Sequence, residues 1–233
     1  MLFAISVNAG DPTFIKVDSV LAYEKTDYAQ IGIFETRNYL KTLFLDGEIQ
    51  TCELSYADYH FKMVLPIDGL GKKALVLGAG EGCSINLLLR YGFEVDAVDI
   101  DEKAIDLYAK HIGEWNEEVY SKPKRDTYNL HFGCGVDFIQ HCSNESYDYV
   151  ILDFDTKAQR ELAPTLVPEI YRVLKPLGIF SAQDDYAGNP SIVEPYAEPL
   201  FAKGRTTISK YISEEWRFTH YVKDEFGIVD KKS

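Results

Sequence analysis

The chain is poor in the residues that staple a fold, cross a bilayer or grip nucleic acid. Its 233 residues include only four cysteines, Cys52, Cys83, Cys134 and Cys142. They form no CxxC pair and no framework spacing, which argues against a disulfide scaffold and points to reduced thiols in the cytoplasm. His131, Cys134, His141 and Cys142 match no structural zinc spacing, so no metal is expected. No apolar run approaches the ~20 residues needed to span a bilayer. The opening MLFAISVNAGDPTF lacks the basic and long apolar regions of a secretory leader. Basic residues are scarce: 24 Lys and Arg against 37 Asp and Glu leave a net charge of -13. Nucleic acid is therefore not an expected partner. An acidic surface does concentrate cations, although the same charge serves solubility alone.

What is present is most specific in residues 74–101, ALVLGAGEGCSINLLLRYGFEVDAVDID. A short apolar run ends in Gly78-Ala79-Gly80-Glu81-Gly82, a helical segment follows, and a second apolar run ends on Asp99. Glycines let a backbone approach a ligand closely. An acid about 20 residues beyond such a turn is placed to grip a ribose diol. A packing turn in an ordinary α/β protein explains the glycines but not the placed acid, so a nucleoside-bearing ligand is expected.

Around this unit the pattern divides. Residues 1–65 read as a small β-domain, with strands near 14–17, 31–36 and 41–45, an Asp46-Gly47 hairpin turn, and a helix over 56–65. Residues 66–233 alternate strands (74–77, 94–99, 128–132, 147–152, 177–183) with helices (83–91, 102–113, 135–141, 163–174). A polar loop is expected over 114–126, and a final strand pair near 205–212 and 215–222. The fold class is α/β: a Rossmann-like, methyltransferase-type doubly wound sheet behind an N-terminal β-domain. Such sheets place ligands at the carboxyl ends of their strands, where Asp153 and Gln183 stand.

The order and spacing of motifs from Val20 to Lys223 resemble the polyamine aminopropyltransferases, the spermidine synthase family. The matching segments are Tyr28-Ala29-Gln30-Ile31, Phe34-Glu35-Thr36, Leu45-Asp46-Gly47-Glu48-Ile49-Gln50, Glu53 and Tyr59-His60. Further on they are Gly78–Gly82, Asp99-Ile100-Asp101, Asp153-Phe154-Asp155, Leu174–Phe180, and Tyr211 ahead of Trp216-Arg217-Phe218. The resemblance implies transfer of the aminopropyl group of decarboxylated S-adenosylmethionine, a co-substrate, to a diamine such as putrescine. It implies Asp153 as base, with Tyr59 as a hydroxyl partner that fixes the amine. It places Gln50, Gly78, Gly80, Glu81, Asp99 and Cys134 at the donor, and Asp155, Gln183 and Tyr211 at the acceptor. It also implies a small-molecule polyamine as partner and a homo-oligomer, dimer or tetramer.

Glu81 falls where the loop would meet the donor's amino end. A carboxylate there attracts an alkylammonium and repels a carboxylate, favouring the decarboxylated donor. Other positions depart from the family. Cys134 replaces the acid that accepts from the adenine amino group, and a thiol is a weak substitute. Asp155 is one residue early, and Ser55, Phe61 and Ala29 replace polar or acidic residues around the acceptor. Two alternatives therefore stand beside aminopropyl transfer: an S-adenosylmethionine-dependent methyltransferase, and a catalytically impaired binding or regulatory subunit.

Overall fold

The structure, a computed structural model, describes residues 2–6, 12–120, 128–186, 188–211 and 214–224. In chain order the elements are β1 (Leu2–Ser6), β2 (Pro12–Lys25), β3 (Gln30–Thr36), β4 (Leu40–Leu45), β5 (Glu48–Cys52), α1 (Tyr56–Met63), β6 (Lys73–Leu77) and α2 (Cys83–Arg90). There follow β7 (Glu94–Asp99), α3 (Glu102–Ile112), a 3-10 turn (Gly113–Asn116), α4 (Glu117–Tyr120), β8 (Tyr128–Phe132), α5 (Gly135–His141) and β9 (Tyr147–Leu152). The last are α6 (Thr156–Val173), β10 (Leu174–Tyr186), α7 (Glu194–Ala197), β11 (Ala202–Tyr211) and β12 (Glu214–Val222). By contact density the chain forms two compact units: Met1–Ala57 with Gly80–Cys83 and Asp101–Pro123, and Asp58–Ala79 with Ser84–Ile100 and Lys124–Ser233.

The first unit carries a five-stranded antiparallel sheet in the order β1-β2-β3-β4-β5. Asp46 and Gly47 join β4 to β5 with φ of 51° and 87°, the paired positive values that a two-residue hairpin turn with right-handed twist requires. The Asp46 carboxylate also accepts from the Gln30 amide at 2.8 Å. Ile15, Val17, Phe34 and Phe44 form this sheet's core. β2 is much longer than the expected strand at 14–17. Its register against β3 shifts between Val17 and Ser19 and again between Val20 and Ala22. Each shift breaks the alternation of inward and outward residues, so the period-2 signal disappears from the sequence. Thr26, in the β2–β3 turn, donates to Asp101 at 2.5 Å, and Asp101 also caps α3 through the Ala104 amide at 3.0 Å.

The second unit is built on a seven-stranded sheet, β11-β12-β10-β9-β6-β7-β8. β10, β9, β6, β7 and β8 run parallel, and β12 and β11 close one edge antiparallel. The chain leaves β6 toward β7 on one side and returns to β9 on the other, so the strand order reverses at β6. That reversal opens a crevice beyond the carboxyl ends of β6 and β9.

One face of the sheet offers Leu75, Leu77, Val150, Leu152, Phe180, Ala182 and Tyr221 to Ala163, Leu166, Val167, Ile170 and Val173 of α6. Those helix positions repeat at the 3.6-residue period and bury a single stripe. α6 starts at Thr156, not at the expected Ala163. Asp155 caps it by accepting from the amides of Lys157 and Ala158, both at 3.0 Å. The first turns, TKAQREL, are polar, and Pro164 reads as a helix start. In the structure Pro164 and Pro168 lie inside the helix. Each lost backbone bond, about 3 kcal/mol in the worst case, falls on the exposed side, and the buried stripe offsets it.

Asp96 pins four strands together. Its carboxylate takes the Lys73 ammonium at 2.7 Å, the Tyr147 hydroxyl at 2.8 Å and the Asn129 amide at 2.9 Å. Burial by itself raises this carboxyl's pKa, but those bonds and the Lys73 charge outweigh it, and the net shift is downward. A folded-state pKa below the unfolded value of about 3.9 means the stabilisation is fully present above that value. It is lost as pH falls through the folded-state pKa. Asp96→Asn is therefore expected to cost about 1.5–3 kcal/mol at pH 7. The difference from wild type in urea unfolding should narrow as pH drops below about 4. A deficit that stays constant down to that pH would show that the charge contributes nothing.

Candidate active site

Asp153 follows β9 at the reversal point. Its amide donates to the Leu77 carbonyl at 2.9 Å, and the Gly78 amide donates to Val98 at 2.9 Å. Gly78 has φ of 93°, and a Cβ there would lie 2.3 Å from the Asp153 carbonyl oxygen. Glycine is thus required twice, for the conformation and for the close approach of the two strand ends. At the end of β7 the Asp99 carboxylate accepts from the Ala79 amide at 3.0 Å, while its carbonyl accepts from Gly133 at 2.9 Å. Asp99 therefore lies beside the glycine turn.

The Tyr59 hydroxyl donates to Asp153 Oδ1 at 3.3 Å, although 94 residues separate them. α1 presents Tyr59 edge-on to Phe218 at 4.8 Å and to Trp216 at 6.3 Å. Phe218 is in register with Gln183 on β10, and Ala182 with Leu152 on β9. Gln183 thus sits one strand away from Asp153. It is 2% exposed, and its side-chain oxygen is buried without a hydrogen-bond partner. A buried unpaired carbonyl is costly unless a ligand or water satisfies it. Among the expected site residues the structure therefore brings together Tyr59, Gly78, Asp99, Asp153 and Gln183.

The others are placed differently. Asp155 is exposed and serves as the α6 cap. Its one-residue offset from the family pattern puts it at a helix start, where carboxylates are favoured by the orphan amides. Cys134 stands at the N-cap position of α5 without a side-chain capping bond. A Cβ on the next residue, Gly135, would come 3.0 Å from the Phe154 ring, so glycine makes room for that ring. Tyr211 ends β11 opposite Glu214, and its side chain lies outside the described residues. Gln50, on β5, and the loop residues Gly80 and Glu81 belong to the first unit.

The segment expected to be a plain polar loop clamps the glycine turn instead. Asn116 donates to the Glu81 carbonyl at 2.7 Å and to Cys83 Sγ at 3.0 Å, and the Tyr120 hydroxyl donates to the Gly80 carbonyl at 2.6 Å. Trp115 stacks on Tyr56 with centroids 5.0 Å apart. A Cβ on Gly82 would come 2.9 Å from the Tyr120 ring. Residues 114–120 of the expected loop are thus 3-10 and helical, and its residues 121–126 lie outside the described residues. No sequence signal marked Asn116 or Tyr120, because both bond to backbone, which any polar residue can do.

Two family models match most of the chain. The spermine/spermidine synthase domain matches residues 53–219, and the spermidine synthase tetramerisation domain matches residues 6–53. The chain belongs to the spermine/spermidine synthase family. It is 30% identical over 229 residues to polyamine aminopropyltransferase 2 of Hyperthermus butylicus, covering 94% of this chain and 72% of that protein. It is 31% identical over 182 residues to spermidine synthase 1 of Hyoscyamus niger, covering 75% of this chain and 56% of that one. Among solved structures, spermidine synthase from Thermotoga maritima superimposes with a TM-score of 0.80 at 20% identity, over 96% of this chain and 79% of the other. A spermidine synthase in complex with the transition state analogue AdoDATO gives 0.83 at 20% identity, over 95% and 79%. These two share the fold.

Proposed function

We propose that this member of the family is an aminopropyltransferase. It moves the aminopropyl group of decarboxylated S-adenosylmethionine, a co-substrate, to a polyamine acceptor such as putrescine, giving spermidine and methylthioadenosine. The observation that carries this reading is the Tyr59–Asp153 pair at 3.3 Å, one strand end from Gly78 and two from Asp99. Asp99 holds the ribose, which sets the sulfonium and its methylene near Asp153. The acceptor amine must be neutral to attack, yet it is cationic in water at pH 7. Tyr59 orients Asp153, and Asp153 takes the amine's proton. A C–N bond forms at the methylene, the C–S bond breaks, and its electron pair returns to sulfur. The leaving group is a neutral thioether, so no metal is needed to stabilise it. Positioning and proton removal account for the acceleration.

Gln50, Gly80, Glu81 and Cys134 as donor contacts, and Asp155 and Tyr211 as acceptor contacts, rest on the family resemblance. A division into residues 1–65 and 66–233 rests on the change of pattern in the sequence. Gln183 has further support in its buried, unpartnered carbonyl oxygen. Homo-oligomer formation is supported by the match to the tetramerisation domain, and Phe14 and Tyr23 on β2 leave apolar surface exposed for it. A cytoplasmic setting fits the four free cysteines, and no described helix is long and apolar enough to cross a membrane. Methyl transfer and a purely regulatory role are less favoured, because the curated relatives are named as a polyamine aminopropyltransferase and a spermidine synthase.

The decisive experiment incubates the protein with the decarboxylated donor and a panel of putrescine, cadaverine and spermidine, read by mass spectrometry. Aminopropylated product and methylthioadenosine are expected. With Ser55, Ala29 and the 53%-exposed Phe61 in place of acidic or longer polar groups, acceptor choice should be relaxed and the KM for putrescine above the usual range of about 1 μM to 1 mM. A low-micromolar KM with the other two amines rejected would show a distal acid that this reading omits. Absence of any product, with methylated product from S-adenosylmethionine instead, would replace the reading by methyl transfer.

A further inference from the structure

On the sheet face opposite α6 lies a buried polar chain that the chemistry above does not use. Tyr149, Ser181 and His220 alternate with the residues that pack against α6, so they point the other way. Tyr149 and Ser181 are 0% exposed and His220 is 1% exposed. The Leu65 amide donates to the Tyr149 hydroxyl at 3.0 Å. Tyr149 Oη lies 2.7 Å from Ser181 Oγ, which lies 2.7 Å from His220 Nδ1. His220 Nε2 lies 3.2 Å from Thr207 Oγ1, and Thr207 donates to the Lys62 carbonyl at 2.8 Å.

The proton order along this chain follows from valence. A hydroxyl has a single proton, and Thr207 gives its own to Lys62. Thr207 must then accept from His220, so the imidazole carries its proton on Nε2. Nδ1 is an acceptor, and Ser181 donates to it. Ser181 in turn accepts from Tyr149. Burial pushes the Tyr149 phenol up to about 12, against the contact with Ser181 and the bond from the Leu65 amide, so it keeps the proton it donates to Ser181. The opposite tautomer would set the Nε2 lone pair against Thr207. An imidazolium would reverse Ser181 and drive the Tyr149 proton onto the Met63 carbonyl, 3.4 Å away. That is longer than a normal O–H···O bond. All the bonds therefore run one way, from the Leu65 amide round to the Lys62 carbonyl.

Both ends of the chain lie at the carboxyl end of α1, the helix that carries Tyr59. Between them it passes through Tyr149 on β9, the strand that leads into Asp153, then β10, β12 and β11. We propose that Tyr149, Ser181, His220 and Thr207 are positioning residues that lock α1 to β9, and so fix Tyr59 against Asp153. A helix end has unsatisfied carbonyls and no preferred direction of its own. Tying Lys62 and Leu65 to strands on both sides of β10 removes the rocking that would carry Tyr59 away from its partner. This inference rests on the reading of Tyr59 and Asp153 as the acceptor-activating pair.

The test compares Thr207→Val, of nearly equal shape, with Thr207→Ser, which keeps the hydroxyl. Thr207→Val is expected to lower kcat about 10- to 100-fold, the scale of a small misplacement of reacting groups. The donor KM should stay within about twofold, because the donor's ribose is held elsewhere, and Thr207→Ser should restore most of the rate. Wild-type kcat in Thr207→Val, or an equal loss in both variants, would overturn the proposal. Nitrogen-15 NMR of labelled histidine provides a second readout that needs no activity. His220 should show the neutral Nε2–H tautomer, and the Nδ1–H form would overturn the relay. If the wild-type protein transfers no aminopropyl group at all, the functional reading fails, and the relay still stands or falls on that tautomer.

Discussion

Asp153→Asn lowers turnover by about 10²-fold or more, while affinity for methylthioadenosine stays within a few-fold. The amide keeps the size of the carboxylate and can still accept from Tyr59, so the 3.3 Å contact survives. It cannot take a proton from an ammonium. The loss should therefore appear in kcat at saturating donor, measured by methylthioadenosine release. Donor binding, followed by ligand-induced thermal shift, should be nearly unchanged. A mutant that turns over at close to the wild-type rate would remove Asp153 from the role of base. A mutant that loses donor binding as well would make Asp153 a donor contact.

Gly78→Ala is expected to be nearly as damaging by a different route. The added Cβ would lie 2.3 Å from the Asp153 carbonyl, and the residue would have to hold φ of 93°. Backbone strain of this kind costs about 1–3 kcal/mol. Relief of the clash must move either the glycine turn or the strand end that carries Asp153. A displacement of about 1 Å there costs on the order of 10² in rate. Circular-dichroism melting should show a lower Tm, and kcat should fall together with donor affinity. A stable variant with full activity would mean that the turn and the β9 end move independently.

The two variants separate chemistry from architecture. The first leaves the backbone in place and removes a charge. The second keeps every charge and moves the backbone.

Most of the parallel sheet was legible in the sequence. Buried strands such as Leu75–Leu77 and Val150–Leu152 are short apolar runs bounded by turns, and their helices carry an apolar stripe at fixed spacing. The glycine turn and Asp99 were legible because few other residues tolerate that conformation or that placement. Legibility failed where local signals conflicted with the fold. β2 lost its alternation to two register shifts. α6 hid its first turns behind Pro164 and a polar segment, and so Asp155 read as a pocket residue when its first task is to cap a helix. Residues 114–120 read as loop, yet Asn116 and Tyr120 hold the glycine turn through backbone oxygens.

The sequence by itself determined the alternation of strands and helices, the ligand turn, and the residue types that can hold a ribose and accept a proton. These are properties of short windows, set by steric limits on glycine and by hydrophobic period. Only the tertiary structure decided which of those residues meet. Tyr59 and Asp153, 94 positions apart, touch because the reversal of strand order at β6 brings the end of β9 beside the glycine turn, and α1 lies over the same sheet. The proton order from Tyr149 to Thr207 exists only in three dimensions too, since each donor and acceptor comes from a different strand. A hydrogen bond acts over about 3 Å and carries no trace along the chain.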